Sequence, residues 1–150
     1  MLKPIAIATA ISGTLDILLA IILTVLFGRE IGAMLRYVGS GPFPQATDMG
    51  AGGAILGLIV HYALMAVMAA VLMAFVRHRP RFIDTPILLG VIYGLITYVV
   101  MNLIVVPVRF DAPLPPKPLS IATQLFAHIC LVGIPMALVA ARYLKPQTTS

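Results

Sequence analysis

Charge is what this sequence has least of. Of 150 residues only ten are Lys or Arg and five are Asp or Glu, or 10%, where a globular domain carries about a quarter. So small a polar complement excludes a water-soluble fold of ordinary composition, whose surface it could not cover. Cysteine is nearly missing too. A lone Cys130 excludes an intramolecular disulfide and any cysteine-based metal site. The glycines at 50–53 are followed by no Gly-Lys-Ser or Gly-Lys-Thr, so they are not a phosphate loop. No nucleophile is paired with a base and an orienting third group, and nothing in the chain reads as an enzyme.

The few cations do not make a nucleic-acid surface. The formal net charge is +5, but Lys and Arg stand at the ends of apolar blocks, not on one face beside aromatics for stacking. What the chain has in abundance is apolar: 61% of its residues. These fall into four blocks, from about Ile5 to Phe27, Gly52 to Val76, Pro86 to Val108 and Leu119 to Arg142. Each is roughly 35 Å long as a helix, enough to cross a bilayer with some tilt. The expected fold is therefore all-α: a polytopic membrane protein, a four-transmembrane-helix bundle, forming one integral membrane domain over residues 1–150. An Ala8-Thr9-Ala10 triplet resembles a signal-peptide cleavage site, but too little apolar chain precedes it, so the first block reads as a retained span.

The connectors differ in character. In the longest, Arg29 to Tyr37 has the composition of a short interfacial helix, and the turn residues Gly39-Ser40-Gly41-Pro42 follow it. Arg77-His78-Arg79-Pro80-Arg81 is short and basic, with His78 solvated among arginines. The stretch from Arg109 to Pro118 holds four prolines and is expected to be stiff and extended. Four spans put six cations (Lys3, Arg77, Arg79, Arg81, Arg142, Lys145) on the side of both termini and four (Arg29, Arg36, Arg109, Lys117) on the other. That bias places the N- and C-termini in the cytoplasm. The second and fourth blocks also suggest a parallel repeat. Each carries a histidine at similar depth, and each ends in a basic-proline exit, the latter at Arg142 to Pro146.

Polar groups inside the membrane are costly and mark candidate sites. Asp16 lies at the centre of the first block, on a stripe of small and polar residues with Thr9, Gly13, Ala20 and Thr24. His61 and His128 sit at about the same depth, roughly 14 Å in from the side opposite the termini, and Asp16 roughly 17 Å in. Gln124 precedes His128 by four residues and is placed to hydrogen-bond it. Asn102 on the third block extends the cluster towards the surface. Asp16, His61, Asn102, Gln124 and His128 thus form one expected intramembrane polar cluster. Four chemistries stay open for it: a hydrogen-bonded network fixing helix register, a proton relay, a bis-histidine haem site, or a metal held by Asp16, His61 and His128. No cofactor and no metal is assigned. The Gly53…Gly57 and Gly90…Gly94 pairs carry the spacing that lets helices approach closely, within the bundle or in a homo-oligomer. Pro135 is expected to kink the fourth helix two turns beyond His128. Met65, Met68 and Met73 share no tight face and read as apolar filler.

His61-Tyr62, Arg79-Pro80, the stretch from Pro86 to Gly94, Met101-Asn102, Pro107 and Ala127-His128 together resemble the YagU-like inner-membrane proteins of bacteria. The resemblance covers roughly the last two-thirds of the chain. It implies a bacterial inner-membrane location and a stress- or proton-related role, and it supplies no catalytic residues. The functional expectation is a small, non-enzymatic inner-membrane protein that handles protons through the Asp/His cluster. An accessory subunit of a larger membrane complex and a b-type haem protein are the alternatives. The expected partners are the lipid bilayer and, beyond it, protein subunits or further copies of the chain, with no nucleic acid.

Overall fold

The computed structural model describes residues 1–145, and Pro146 of the expected basic-proline exit lies outside them. Four long helices carry the apolar blocks: α1 (Leu2–Leu26), α3 (Gly50–His78), α4 (Pro86–Phe110) and α5 (Pro118–Leu144). Their ends lie within three residues of those expected from hydropathy, α1 stopping one residue short of Phe27 and the other three running on by one or two at most of their ends. The short α2 (Ile31–Gly39) lies between α1 and α3. No strand occurs among the described residues. The chain is an all-α membrane protein with a four-helix bundle.

α5 is the central helix. It packs against α1, α3 and α4, whereas α4 makes little close contact with α3 and none of note with α1. The dry core lies in the half nearer the termini. There Leu72, Met73 and Val76 of α3 meet Val132, Met136, Ala137 and Ala140 of α5, all 0% exposed. Ile83, from the turn Pro80–Asp84, plugs the same core from below. Large apolar side chains such as Ile22, Ile55 and Ile104 face outwards, as lipid requires.

With lipid tails as apolar as leucine, helices associate through close packing and hydrogen bonds more than through burial. The glycines show where this happens. A Cβ at Gly94 would stand 2.5 Å from the His128 carbonyl, and one at Gly90 would stand 2.5 Å from the Ile134 Cα. Gly133 faces the Gly90 carbonyl in return. Gly90 and Gly94 are therefore the α4–α5 seam. Gly53 and Gly57 serve a different contact: they face the carbonyls of Ala46 and Leu35, so the connector and α2 lie down on the start of α3. Both pairs pack within the chain. The connector is clasped from across the bundle by Arg109, which donates to the carbonyls of Ser40 (2.7 Å) and Gly41 (2.6 Å) just past the end of α2. Tyr37 stacks on Phe110 with ring centroids 4.3 Å apart. Burial there raises the phenol pKa above its ordinary value, with the Arg109 guanidinium opposing.

Two segments depart from the α-helix. Val99–Val105 in α4 and Ala127–Gly133 in α5 are π-helical. Each is followed two residues later by a proline, Pro107 and Pro135. A proline ring clashes with the carbonyl four residues back, and the wider turn accommodates it. The irregularity ahead of Pro135 begins at Ala127, the residue before His128. α3 is a regular helix through His61, so the second and fourth spans do not share a local structure at their histidines.

Gly133→Ala is expected to destabilise the bundle by about 1–3 kcal/mol, since the added methyl meets backbone that cannot move aside. Gly52, with nothing within 4 Å of its Cβ direction, is the control, and Gly52→Ala should be neutral or stabilising. Thermal unfolding in mild detergent measures both.

Candidate functional site

The expected single cluster is two clusters on two seams. The first lies between α1 and α3. His61 is buried at 7% exposure, and its Nε2 donates to the Gly13 carbonyl at 2.8 Å. That bond fixes the ring, because a carbonyl only accepts. Nδ1 is left facing Asp16 Oδ2 at 3.9 Å. Gly13 is what makes this approach feasible: a Cβ there would stand 2.8 Å from the Tyr62 ring. Tyr62 in turn shares a hydrogen bond with Thr14 (2.8 Å) and sets its ring edge-on to His61. One glycine therefore admits the tyrosine, exposes the carbonyl and brings the two helices together.

The second cluster lies between α4 and α5. His128 Nδ1 stands 3.0 Å from Thr97 Oγ1, and Nε2 stands 3.2 Å from Asn102 Nδ2. Thr97 gives its own proton to the Gly94 carbonyl at 3.0 Å, so it accepts from His128. The Asn102 amide donates to the other ring nitrogen. Both ring nitrogens of His128 are thereby engaged, and the imidazole is held as its Nδ1–H tautomer. Thr97 and Asn102 are five residues apart, a spacing that points two ways around an α-helix. The π turn from Val99 brings both side chains to His128.

Gln124 belongs to neither cluster. The hydrogen bond expected between it and His128 is ruled out here, because both ring nitrogens of His128 are already engaged. The π turn starting at Ala127 also breaks the four-residue register on which that expectation stood. Gln124 instead lines a cavity of about 350 Å³ at the end of the bundle away from the termini. Thr24, Ser120 and Thr123 line it too, with Arg29 and Lys117 at its rim and no acidic residue. Ala20 forms part of its wall and stands one helical turn from Asp16 on the same face of α1.

The remaining polar groups of α1 are mostly spoken for. The Thr24 hydroxyl bonds its own helix at the Ala20 carbonyl, and Ser12 reaches the Val132 carbonyl of α5 at 3.3 Å. Thr9 Oγ1 is the exception, a buried hydroxyl without a hydrogen-bond partner among the described residues.

Two residues that matter were not anticipated in the site, Thr97 and Tyr62, and Gly13 was expected only as part of the small-residue stripe on α1. Thr97 has no sequence signal beyond being polar on an apolar helix. Tyr62 could have been found, since it adjoins His61 and a tyrosine hydroxyl in a membrane needs a partner. His128 does not suit haem: an axial ligand must offer the iron a lone pair, and both His128 nitrogens are occupied. His61 keeps one uncommitted nitrogen, Nδ1, which faces Asp16. No group of three or more His, Cys, Asp or Glu able to hold a metal occurs among the described residues.

Comparison of the chain with family models, curated proteins and solved structures finds no match. The functional reading therefore rests on the geometry.

His128→Phe should keep the ring's volume while leaving Thr97 and Asn102 short of a partner. A loss of about 1–3 kcal/mol is expected, read as a lowered unfolding temperature in detergent. Protein purified from haem-replete cells should show no Soret band in its oxidised or reduced visible spectrum.

Proposed function

We propose that this chain is a proton-handling protein of the bacterial inner membrane, with both termini in the cytoplasm and Asp16–His61 as its titrating pair. The observation that carries this reading is the unequal treatment of the two histidines. His128 is held at both nitrogens by uncharged partners. His61 is held at one, and its second nitrogen faces a carboxylate across 3.9 Å. A neutral imidazole nitrogen and a carboxylate oxygen both accept, and 3.9 Å is too long for a direct hydrogen bond, so neither group is committed to the other. Neighbouring carboxylate and imidazole groups are the working parts of intramembrane relays.

Access supports the same reading. The cavity beside α1 opens at the surface away from the termini and reaches to within a helical turn of Asp16. Ser120, Thr123 and Gln124 give it a polar part among the apolar walls of Leu23, Phe27, Met34 and Leu119. The location and orientation rest on the charge bias of the connectors and on the resemblance to YagU-like proteins, which also carries the stress- and proton-related role.

Liposomes loaded with a pH-sensitive dye and given a proton gradient provide the test. The wild-type chain is expected to dissipate the gradient, and Asp16→Asn to fall to the rate of protein-free liposomes while unfolding at nearly the wild-type temperature. His128→Phe should show the converse, lower stability with flux per folded molecule retained. A wild-type chain that leaves the gradient intact, or an Asp16→Asn protein that conducts normally, would return the pair to the role of scaffold.

A further inference from the structure

α3 and α4 are neighbours in sequence and yet do not pack closely on each other. Between them runs a crevice of about 260 Å³ with a wholly apolar surface. Leu72 and Leu89, 0% and 5% exposed, form its floor, while Phe75, Ile92 and Ile96 are its exposed walls. Tyr93 spans the gap at depth and turns its hydroxyl inwards to the Met68 carbonyl at 2.6 Å, so no polar group is left in the crevice. On α4 the lining runs from Leu89 to Ile96, about 10 Å at 1.5 Å per residue. That is about a third of the roughly 30 Å hydrocarbon core, enough to seat part of one acyl chain.

The mouth is different in kind. Phe82 closes the top of the crevice and also borders a second hollow, of about 700 Å³, walled by His78, Arg79, Arg81 and Thr85. The one acid of this connector, Asp84, stands 3.5 Å from Lys145. Arg77, Arg79 and Arg81 are exposed and form no ion pair among the described residues. Their placement is set by the fold: buried Ile83 anchors the turn, which directs Arg81 and Phe82 outwards on either side of it.

We propose that this continuous crevice and basic hollow form a binding site for one phospholipid with an anionic headgroup. An acyl chain lies along Leu89, Ile92 and Ile96, and the phosphate sits over Arg79 and Arg81. Charge complementarity at the mouth and the wholly apolar surface beneath it select this occupant. A protein helix would need a groove open along its whole length, and a soluble anion would have no use for the apolar part. Basic pockets between transmembrane helices are suited to such headgroups.

The test is native mass spectrometry of the full chain in mild detergent, with phosphatidylglycerol or phosphatidylcholine added. One phosphatidylglycerol is expected to stay bound under conditions that strip phosphatidylcholine. Arg79→Gln with Arg81→Gln should remove that retention, and so should Ile92→Trp, which fills the crevice without touching charge. Arg29→Gln with Lys117→Gln removes the same charge at the opposite end and should leave retention unchanged. Equal loss in that control, or retention that survives Ile92→Trp, would reduce the binding to general attraction of anionic lipid and overturn the site. On the wild-type chain, glycerol phosphate is expected to give no rise in unfolding temperature where phosphatidylglycerol does; equal stabilisation by the two would also overturn it.

Discussion

The close approach of α4 and α5 is the contact on which the rest of the bundle depends. Inside a bilayer there is no hydrophobic gain from bringing two apolar helices together, so their contact has to come from atoms that fit and polar groups that meet. Gly90, Gly94 and Gly133 let the two backbones touch. Because they touch, the Gly94 carbonyl lies within reach of Thr97, Thr97 within reach of His128, and His128 within reach of Asn102. Because α5 is fixed on α4, its other face is free to receive α1 and α3, with Ser12 bound to the Val132 carbonyl and Met136 and Ala140 closed into the core. A methyl at Gly133 would disturb all of this from one point.

The two histidines show how one residue type takes two roles. At matched depth and with similar burial, they differ in what stands opposite the second nitrogen. For His128 it is the amide of Asn102, uncharged and brought in by a π turn. For His61 it is the carboxylate of Asp16. A ring satisfied on both sides by neutral groups has little reason to change state. A ring opposite a carboxylate keeps one nitrogen uncommitted. Irregular helix holds the satisfied histidine, and regular helix carries the other.

Much of the architecture was legible in the sequence because the bilayer leaves few choices. Backbone groups must be satisfied within the segment, so a 20-residue apolar run becomes a helix and little else. The four spans, the short helix after Arg29 and the turn after it follow from that rule and from the glycines. The polar site was legible only as an inventory. Asp16, His61, Asn102 and His128 were recognised by the cost of putting them in lipid, but their grouping was not, because the order of packing around α5 leaves no mark on hydropathy. Gln124 was misplaced for a more local reason. A four-residue spacing places two side chains on one face only in an α-helix, and the turn at Ala127 is wider. The signal was present in Pro107 and Pro135, each two residues past a π segment. Proline marks where a helix departs from its ladder, but it does not tell whether the helix bends or widens.

The bundle is polar at one end and dry at the other, and this bears on what the Asp16–His61 pair can do. From the side away from the termini, a cavity lined by Thr24, Thr123 and Gln124 approaches Asp16. Towards the termini the same seam closes on Ala8, Met65, Ala69 and Leu72, none more than 5% exposed. The buried hydroxyls on that side are Ser12, already committed to Val132, and Thr9, which has no partner among the described residues. A proton reaching the pair from the cavity therefore meets no continuous polar path onward in this arrangement of helices. The two seams are also held together differently. The α1–α3 seam is joined by a histidine–carbonyl bond and a tyrosine–threonine bond. The α4–α5 seam is locked by glycines against backbone.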